Sequence, residues 1–514
     1  MLEVLSILLA GLIGFLLVRA ADPVRDLKPR WAAILFDASL GAGIGIGLTS
    51  VLFLFLDMYG LATPVAIFGA DIVLAGALAG RWFFAGRFAG VTTDGIAESN
   101  AQSFRWTWLL ALAFAVALVM VEIRLIQMSA ALPVGGWDAW SIWNLRAKYL
   151  AGPGGAWRYA VSPVLNRSHP DYPLLLSAFI ARAWKAAGTM SAIAPATTAL
   201  LFFSALLGLL VSALALLRGA ASALLAGLVI LSTTSLLIWA PAQYADVPLA
   251  LFYLAAIALL FVDAVPGARG RWALLWAGVC AGLTPWTKNE GIAFLISFFA
   301  AFAVFTLWRQ GWAAVWTRTR WLLAGAVPGI ALTLWLKFFL APAVDPLVTQ
   351  GTSGLTRLHD ASRYAEIAGA FFSNLRDLGS GISHPLILLA ILAVFLRWQR
   401  GERDRSPSLI AAAALVLVLL AYCFVYLITP SGVAWHVQTS FDRLILQLWP
   451  SALLVFFVQL RRVADPAPES APITSAALKK SPVRSARPGA SAKPAVAGKN
   501  AVAGKNAVGS KKVK

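Results

Sequence analysis

The chain has 514 residues, of which 60% are hydrophobic, and a mean hydropathy of +0.78, which excludes an ordinary soluble globular domain. Its formal net charge of +19 sits in short loops between apolar runs and in a Lys-rich tail, so no nucleic-acid partner is expected. The two cysteines, Cys280 and Cys423, lie inside apolar runs and read as small core residues, and no Cys/His cluster has zinc-like spacing.

Apolar runs of about 20 residues, long enough to cross a bilayer, recur up to residue 460. They are continuous rather than alternating, which argues against a β-barrel. The expected fold class is therefore all-α, a polytopic membrane protein with about 12–13 transmembrane helices. The first run, Leu2 to Val18, carries Glu3, and its basic residues (Arg19, Arg25, Lys28, Arg30) follow it. That order is the reverse of a secretory signal and predicts a first span with its N-terminus outside. Further spans are predicted at 31–56, 61–80, 106–128, 195–217, 221–240, 247–264, 272–286, 290–308, 321–341, 384–397, 408–428 and 444–460.

Lys and Arg beside these spans alternate consistently. Arg19 to Arg30, Arg81 to Arg105, Arg218, Arg269 with Arg271, Arg309 to Arg320, Arg397 to Arg405 and Arg461 with Arg462 all fall on one side, the cytoplasmic one. Segment 272–308 would exceed about 50 Å as one helix, so it must be a hairpin that turns at Thr284–Gly291. Parity then places the loops 129–194, 342–383 and 429–443, the Tyr244-Ala245-Asp246 turn and the 284–291 turn on the outer face. Segment 172–187 is apolar but short, and is expected to be a juxtamembrane or re-entrant helix in the first large outer loop. Residues 463–514 are rich in Pro, Ala, Ser and Lys, with Ala-Val-Ala-Gly-Lys-Asn repeated at 495–500 and 501–506. That composition predicts a disordered basic cytoplasmic tail, either simply solvated or in loose contact with anionic membrane lipids.

The outer-face motifs carry the candidate chemistry. Asp138 precedes an amphipathic pattern in which Trp140, Trp143, Ala147 and Leu150 share a face. Asp138 is thus either an N-cap or a carboxylate that takes a proton from an acceptor hydroxyl or amine. Arg146, Lys148, Arg158 and Arg167 crowd the same loop, as a phosphate ligand would require. His169-Pro170-Asp171-Tyr172-Pro173 is either a turn capped by Asp171, or a site where His169 and Tyr172 contact substrate and Asp171 supplies a second carboxylate. Asp246, just before Val247-Pro248, has the same two readings. Lys288 and Glu290 either pair with each other or bind phosphate and sugar hydroxyls. His436, Asp442 and Arg443 open the last span, where Asp442 and Arg443 form an ion pair or Arg443 meets a phosphate.

Taken in order, Asp138, the His169–Pro173 element and the Thr287-Lys288-Asn289-Glu290-Gly291 turn resemble the GT-C superfamily of polyprenyl-phosphate-sugar-dependent glycosyltransferases. That superfamily includes protein O-mannosyltransferases and the aminoarabinose transferase of lipid A. The similarity covers roughly residues 106–460. It implies N-terminal transmembrane helices over 1–105 and a GT-C-like catalytic region over 106–462, followed by the tail. Asp138 stands alone between Trp137 and Ala139, where the family often has two adjacent acids, and three extra spans precede the family's first helix.

The resemblance implies an inverting glycosyltransferase in a bacterial inner membrane, active on the periplasmic face. Its donor would be a polyprenyl-phosphate-linked sugar and its acceptor a lipid, glycan or protein. Asp138, Asp171 and Glu290 would be catalytic; His169, Arg146, Lys148, Tyr172, Asp246, Lys288, His436 and Arg443 would bind substrate. No cofactor is expected; related oligosaccharyltransferases use a divalent metal, but a solitary Asp138 offers no clear metal site. The competing reading is a transporter or flippase for a lipid-linked or anionic substrate. It requires ionisable residues near the bilayer midplane, for which Asp37, Asp57, Asp71 and Glu122 are the candidates.

Overall fold

A computed structural model describes residues 1–88, 106–344, 349–399 and 402–463; the tail expected over 463–514 lies outside them from 464 on. All described regular elements are helical, apart from one isolated bridge between Trp398 and Leu460. In chain order they begin with α1 (Leu2–Ala20), α2 (Arg30–Met58), α3 (Pro64–Phe88) and α4 (Thr107–Ala131). The first large loop then holds α5 (Asn144–Leu150) and α6 (Leu175–Ala187). The bundle continues with α7 (Ile193–Arg218), α8 (Ala220–Leu231), α9 (Thr234–Trp239), α10 (Asp246–Asp263), α11 (Gly270–Thr287), α12 (Glu290–Gln310) and α13 (Trp312–Trp335). It closes with α14 (Ala361–Arg376), α15 (Pro385–Leu396), α16 (Glu402–Ile428) and α17 (Val433–Gln459).

Ten described helices are long and apolar enough to cross a membrane, as a multi-pass membrane protein requires. Three of the predicted spans differ. Segment 221–240 breaks at Ser232-Thr233 into α8 and α9. There the Thr234 N–H leaves the helical ladder and donates to Leu378 O at 2.9 Å. Segment 384–397 forms the 12-residue α15, about 18 Å long against a hydrocarbon core of about 30 Å. α11, over 272–286, is an 18-residue helix with most of its side chains buried inside the protein, and it is not among the ten.

Two helix pairs approach closely through glycine, as lipid-embedded helices do when backbone contact replaces a hydrophobic driving force. On α1 and α2, a Cβ at Gly14 would lie 1.8 Å from Gly41 O. On α11 and α13, a Cβ at Gly278 would lie 2.0 Å from Leu322 O, and one at Gly325 2.0 Å from Leu275 O.

Tertiary contacts sort the helix termini into two groups. One group holds Arg269 N–H donating to Pro23 O (3.2 Å), Arg461 N–H to Arg397 O (3.1 Å), and the Arg318–Asp263 and Arg218–Val458 contacts. These are the termini assigned to the cytoplasmic side by charge. The other group gathers around the first large loop. Lys185 of α6 pairs with Asp57 at 2.6 Å, Ser191 donates to Glu3 at 2.6 Å, and Arg182 pairs with Asp71 and donates to Ser6 O. α6 is therefore packed among α1, α2 and α3, with Arg182 only 1% exposed. The acids considered as a midplane path are all engaged: Asp57 and Asp71 as above, Asp37 with Arg19 at 2.8 Å, and Glu122 with Ser204 at 3.3 Å.

Candidate functional site

The site begins where the first large loop folds over the bundle. Gly135, in the left-handed region at φ +75°, turns the chain, and Gly136 N–H donates to Ala242 O at 3.0 Å. A Cβ at Gly136 would meet the Tyr244 hydroxyl at 2.6 Å, so glycine is what allows this approach. Asn144 Nδ2 donates to Gln243 Oε1 at 2.9 Å, and Asp138 N–H donates to the Tyr244 hydroxyl at 3.2 Å. The 133–144 segment is thus stitched to the turn that starts α10.

Asp138 and Asp246 both sit at helix starts, where capping was one expectation. Neither side chain caps a helix. The Asp138 carboxylate instead forms an ion pair with Arg443 of α17. Asp246, 1% exposed, receives Lys288 Nζ at 2.9 Å and Gln447 Nε2 at 2.5 Å on one oxygen, and lies 3.8 Å from Arg443 with the other. Lys288 also pairs with Glu290 at 2.7 Å. Five expected site residues therefore form one chain of alternating charge: Asp138, Arg443, Asp246, Lys288, Glu290. A buried carboxylate survives only when paired in this way.

Aromatic and amide groups line the chain of charges. The Arg443 guanidinium lies 5.1 Å from the Tyr244 ring and 5.5 Å from the Trp239 ring, both within cation–π range. Asp442 does not pair with the Arg443 side chain; its carboxylate accepts from the Arg443 backbone N–H (2.7 Å) and from Trp239 Nε1 (2.7 Å). Beneath Asp246, Gln447 accepts from the Tyr422 hydroxyl at 2.6 Å, which in turn contacts the Tyr253 hydroxyl at 3.1 Å. Burial alone would pull the Lys288 ammonium down, but Asp246 and Glu290 outweigh it and hold its pKa above the ordinary lysine value. Burial pushes the Tyr244 phenol up.

A second, adjoining cluster forms on Asp171. Its Oδ2 accepts from Asn289 Nδ2 at 2.9 Å and from Lys337 Nζ at 3.2 Å, and Lys337 also donates to Asp171 O at 2.7 Å. Asn289 lies between Lys288 and Glu290 and links the two clusters. Three buried oxygens here, Asp171 Oδ1, Asn289 Oδ1 and Glu290 Oε2, accept no hydrogen bond.

The remaining expected residues lie elsewhere. Arg146, assigned to phosphate by its sequence context, is 0% exposed and donates to the carbonyls of Ala160 (2.8 Å), Pro170 (3.3 Å) and Pro173 (3.5 Å). It is a strut that holds the loop's backbone together, and burial brings its pKa down to about 9 despite the nearby Asp171 charge. Lys148 is exposed on α5. His169 stacks on Tyr172 at 4.5 Å, and Tyr172 leans on Trp143 at 5.7 Å. His436 contacts Thr429 Oγ1 at 3.1 Å and the Tyr426 ring at 4.8 Å.

The helix after Asp138 also departs from the expected face. Residues Ala139–Trp143 form a π turn before α5, and the wider turn shifts the register by part of a residue. Trp143, Ala147 and Leu150 stay buried, whereas Trp140 is 46% exposed and packs edge-on against Trp137.

Gln447, Tyr244, Tyr253, Tyr422, Asn289 and Lys337 were not among the predicted site residues. Lys337 alone carried a clear signal, a cation near the end of an apolar run. Among the described residues, no three or more His, Cys, Asp or Glu are grouped to hold a metal ion. Asp138 and Asp246 are paired with the cations Arg443 and Lys288, and Gln447 adds an amide hydrogen bond to Asp246. No family model matches this chain, nor does any curated protein or solved structure compared with it.

Proposed function

We propose that the chain is an inverting glycosyltransferase that uses a polyprenyl-phosphate-linked sugar on the outer face of a bacterial inner membrane. One observation carries this reading: Asp138 of the first large loop meets Arg443 of the last helix directly above buried Asp246 and Lys288. The arrangement sets a carboxylate base beside two cations at the bundle end where membrane helices begin.

In the proposed reaction an acceptor hydroxyl oxygen bonds to the anomeric carbon while the bond from that carbon to the phosphate oxygen breaks. The hydroxyl proton passes to Asp138, and the electron pair leaves with the polyprenyl phosphate. Arg443 and Lys288 neutralise that leaving group. The cluster holds three carboxylates (Asp138, Asp246, Glu290) against two cations (Arg443, Lys288). A phosphate must therefore compete for Arg443, and in doing so frees Asp138 to accept a proton. Asp246 and Gln447 hold the cations in place. The pairing of Asp57 and Asp71 with Lys185 and Arg182 takes candidate carriers away from the transport reading.

The test is Asp138→Asn in lipid nanodiscs, shown to be folded and assayed against a panel of polyprenyl-phosphate sugars. Transfer by the native chain and a loss of about 10²–10⁴-fold in the variant are expected. Full activity in the variant would remove the base, and transport without transfer would favour the carrier.

A further inference from the structure

A cavity of about 350 Å³ opens between α9, α14 and α17, next to the charged cluster. Its polar walls are Ser235 from α9, Ser373 and Asn374 from α14, Asp377 just beyond α14, and Gln438 and Asp442 from α17. Trp239 and several aliphatic side chains form the rest. The volume falls at the small end of ligand sites, about 300–1,000 Å³.

The lining has a definite chemistry. It offers hydroxyls, amides and carboxylates, and no Lys or Arg is among the lining residues. Two carboxylates face the cavity, Asp377 and Asp442, and Arg376, which adjoins the lining, is already paired with Asp377 at 3.0 Å, so an anion is disfavoured. Ser373, Asn374, Asp377 and Asp442 already have partners of their own, but a purely apolar ligand would leave Ser235 Oγ without one. Ser235 Oγ is already buried without a hydrogen-bond partner. Trp239 presents an apolar ring beside these groups, a combination that suits a ring with one polar rim and C–H faces.

The cavity shares a wall with the proposed reaction centre. The Trp239 indole donates to Asp442 at 2.7 Å, and the same ring carries the Arg443 guanidinium at 5.5 Å. Arg443 in turn pairs with Asp138. We propose that this cavity binds a neutral, hydroxyl-rich sugar ring, the saccharide part of the acceptor. The word acceptor rests on the transferase reading; the sugar-binding chemistry does not.

The experiment uses the full chain in nanodiscs, since maltoside detergents would themselves present sugars. Ligand-observed saturation-transfer NMR is recorded with a panel of methyl glycosides, and with inorganic phosphate as the anionic control. The native chain and Asp138→Asn should both bind at least one glycoside. Ser235→Val and Gln438→Leu, checked for folding by thermal melting, should bind it about tenfold more weakly, the effect of one lost hydrogen bond. Equal binding in all variants, no binding of any glycoside, or phosphate binding that these two substitutions weaken would each overturn the proposal. Glycoside binding that survives while no sugar transfer occurs would sink the transferase reading and leave the cavity assignment standing.

Discussion

Asp138 and Arg443 stand 305 residues apart in sequence and form an ion pair at one end of the helix bundle. The pair joins the first large loop to the last long helix, so loop closure and charge arrangement are one event. Their side chains are 22% and 11% exposed, partly shielded from the screening that makes surface pairs weak. A double-mutant cycle with Asp138→Asn and Arg443→Gln should give a coupling of about 1–3 kcal/mol in unfolding free energy. Additive effects would mean that the two side chains do not interact in the membrane.

Asp246 is the more costly residue to lose. It lies under two cations and accepts from Gln447. Asp246→Ala leaves Lys288 and Arg443 without their shared counter-charge, and should destabilise the fold by about 3–5 kcal/mol. Asp246→Asn combined with Lys288→Met should be milder than Asp246→Ala, because charge is removed from both sides. Thermal melting in nanodiscs decides this; a double variant worse than Asp246→Ala would refute the pairing.

The pH dependence of that pair has a fixed sign. The folded pKa of Lys288 is raised above its ordinary value of 10.5. Its contribution is therefore fully present below that value, and is lost only as pH rises through the folded pKa. Between neutral pH and about 10, the stability difference between the native chain and Lys288→Met should stay constant. A step in that difference near pH 8 would contradict the geometry.

How far the sequence speaks follows from the range of the forces. Apolar runs and Lys/Arg bias act locally, so the two ends of the bundle and the gathering of Asp138, Asp246, Lys288 and Arg443 at one of them were legible. Their partners were not. Whether Asp138 caps its own helix or crosses to Arg443 depends on tertiary closure, which spacing does not encode. Gln447, Tyr253 and Tyr422 are single polar groups inside apolar runs, satisfied by one another, by Asp246 and by the Glu290 carbonyl. Arg146 was expected at a phosphate, whereas it meets the carbonyls of Ala160, Pro170 and Pro173, because a basic residue in a loop looks the same in sequence in either role. The break at Ser232-Thr233 went unseen because Leu378, which takes the freed N–H, comes from a distant segment.

Backbone contact between α11 and α13 gives a test of the fold that is independent of the site. Gly278→Ala and Gly325→Ala each drive a methyl into a carbonyl 2.0 Å away. Each should cost about 1–3 kcal/mol or more, as overpacking does. Gly69→Ala in α3 has nothing within 4 Å of the new Cβ, and should be neutral or stabilise by about 0.5–1 kcal/mol. Equal melting temperatures for all three would mean that the helices do not pack through glycine.

Arg146 separates a strut from a ligand. Its guanidinium spans the carbonyls of Ala160, Pro170 and Pro173, a planar fork that a lysine ammonium cannot reproduce. Arg146→Lys keeps the charge and should still loosen the loop. Amide hydrogen exchange over 156–173 should accelerate, while the affinity for an added anionic lipid headgroup stays unchanged. A phosphate ligand would show the opposite pattern: weakened anion binding with the loop's exchange unaltered. That outcome would return Arg146 to the binding site.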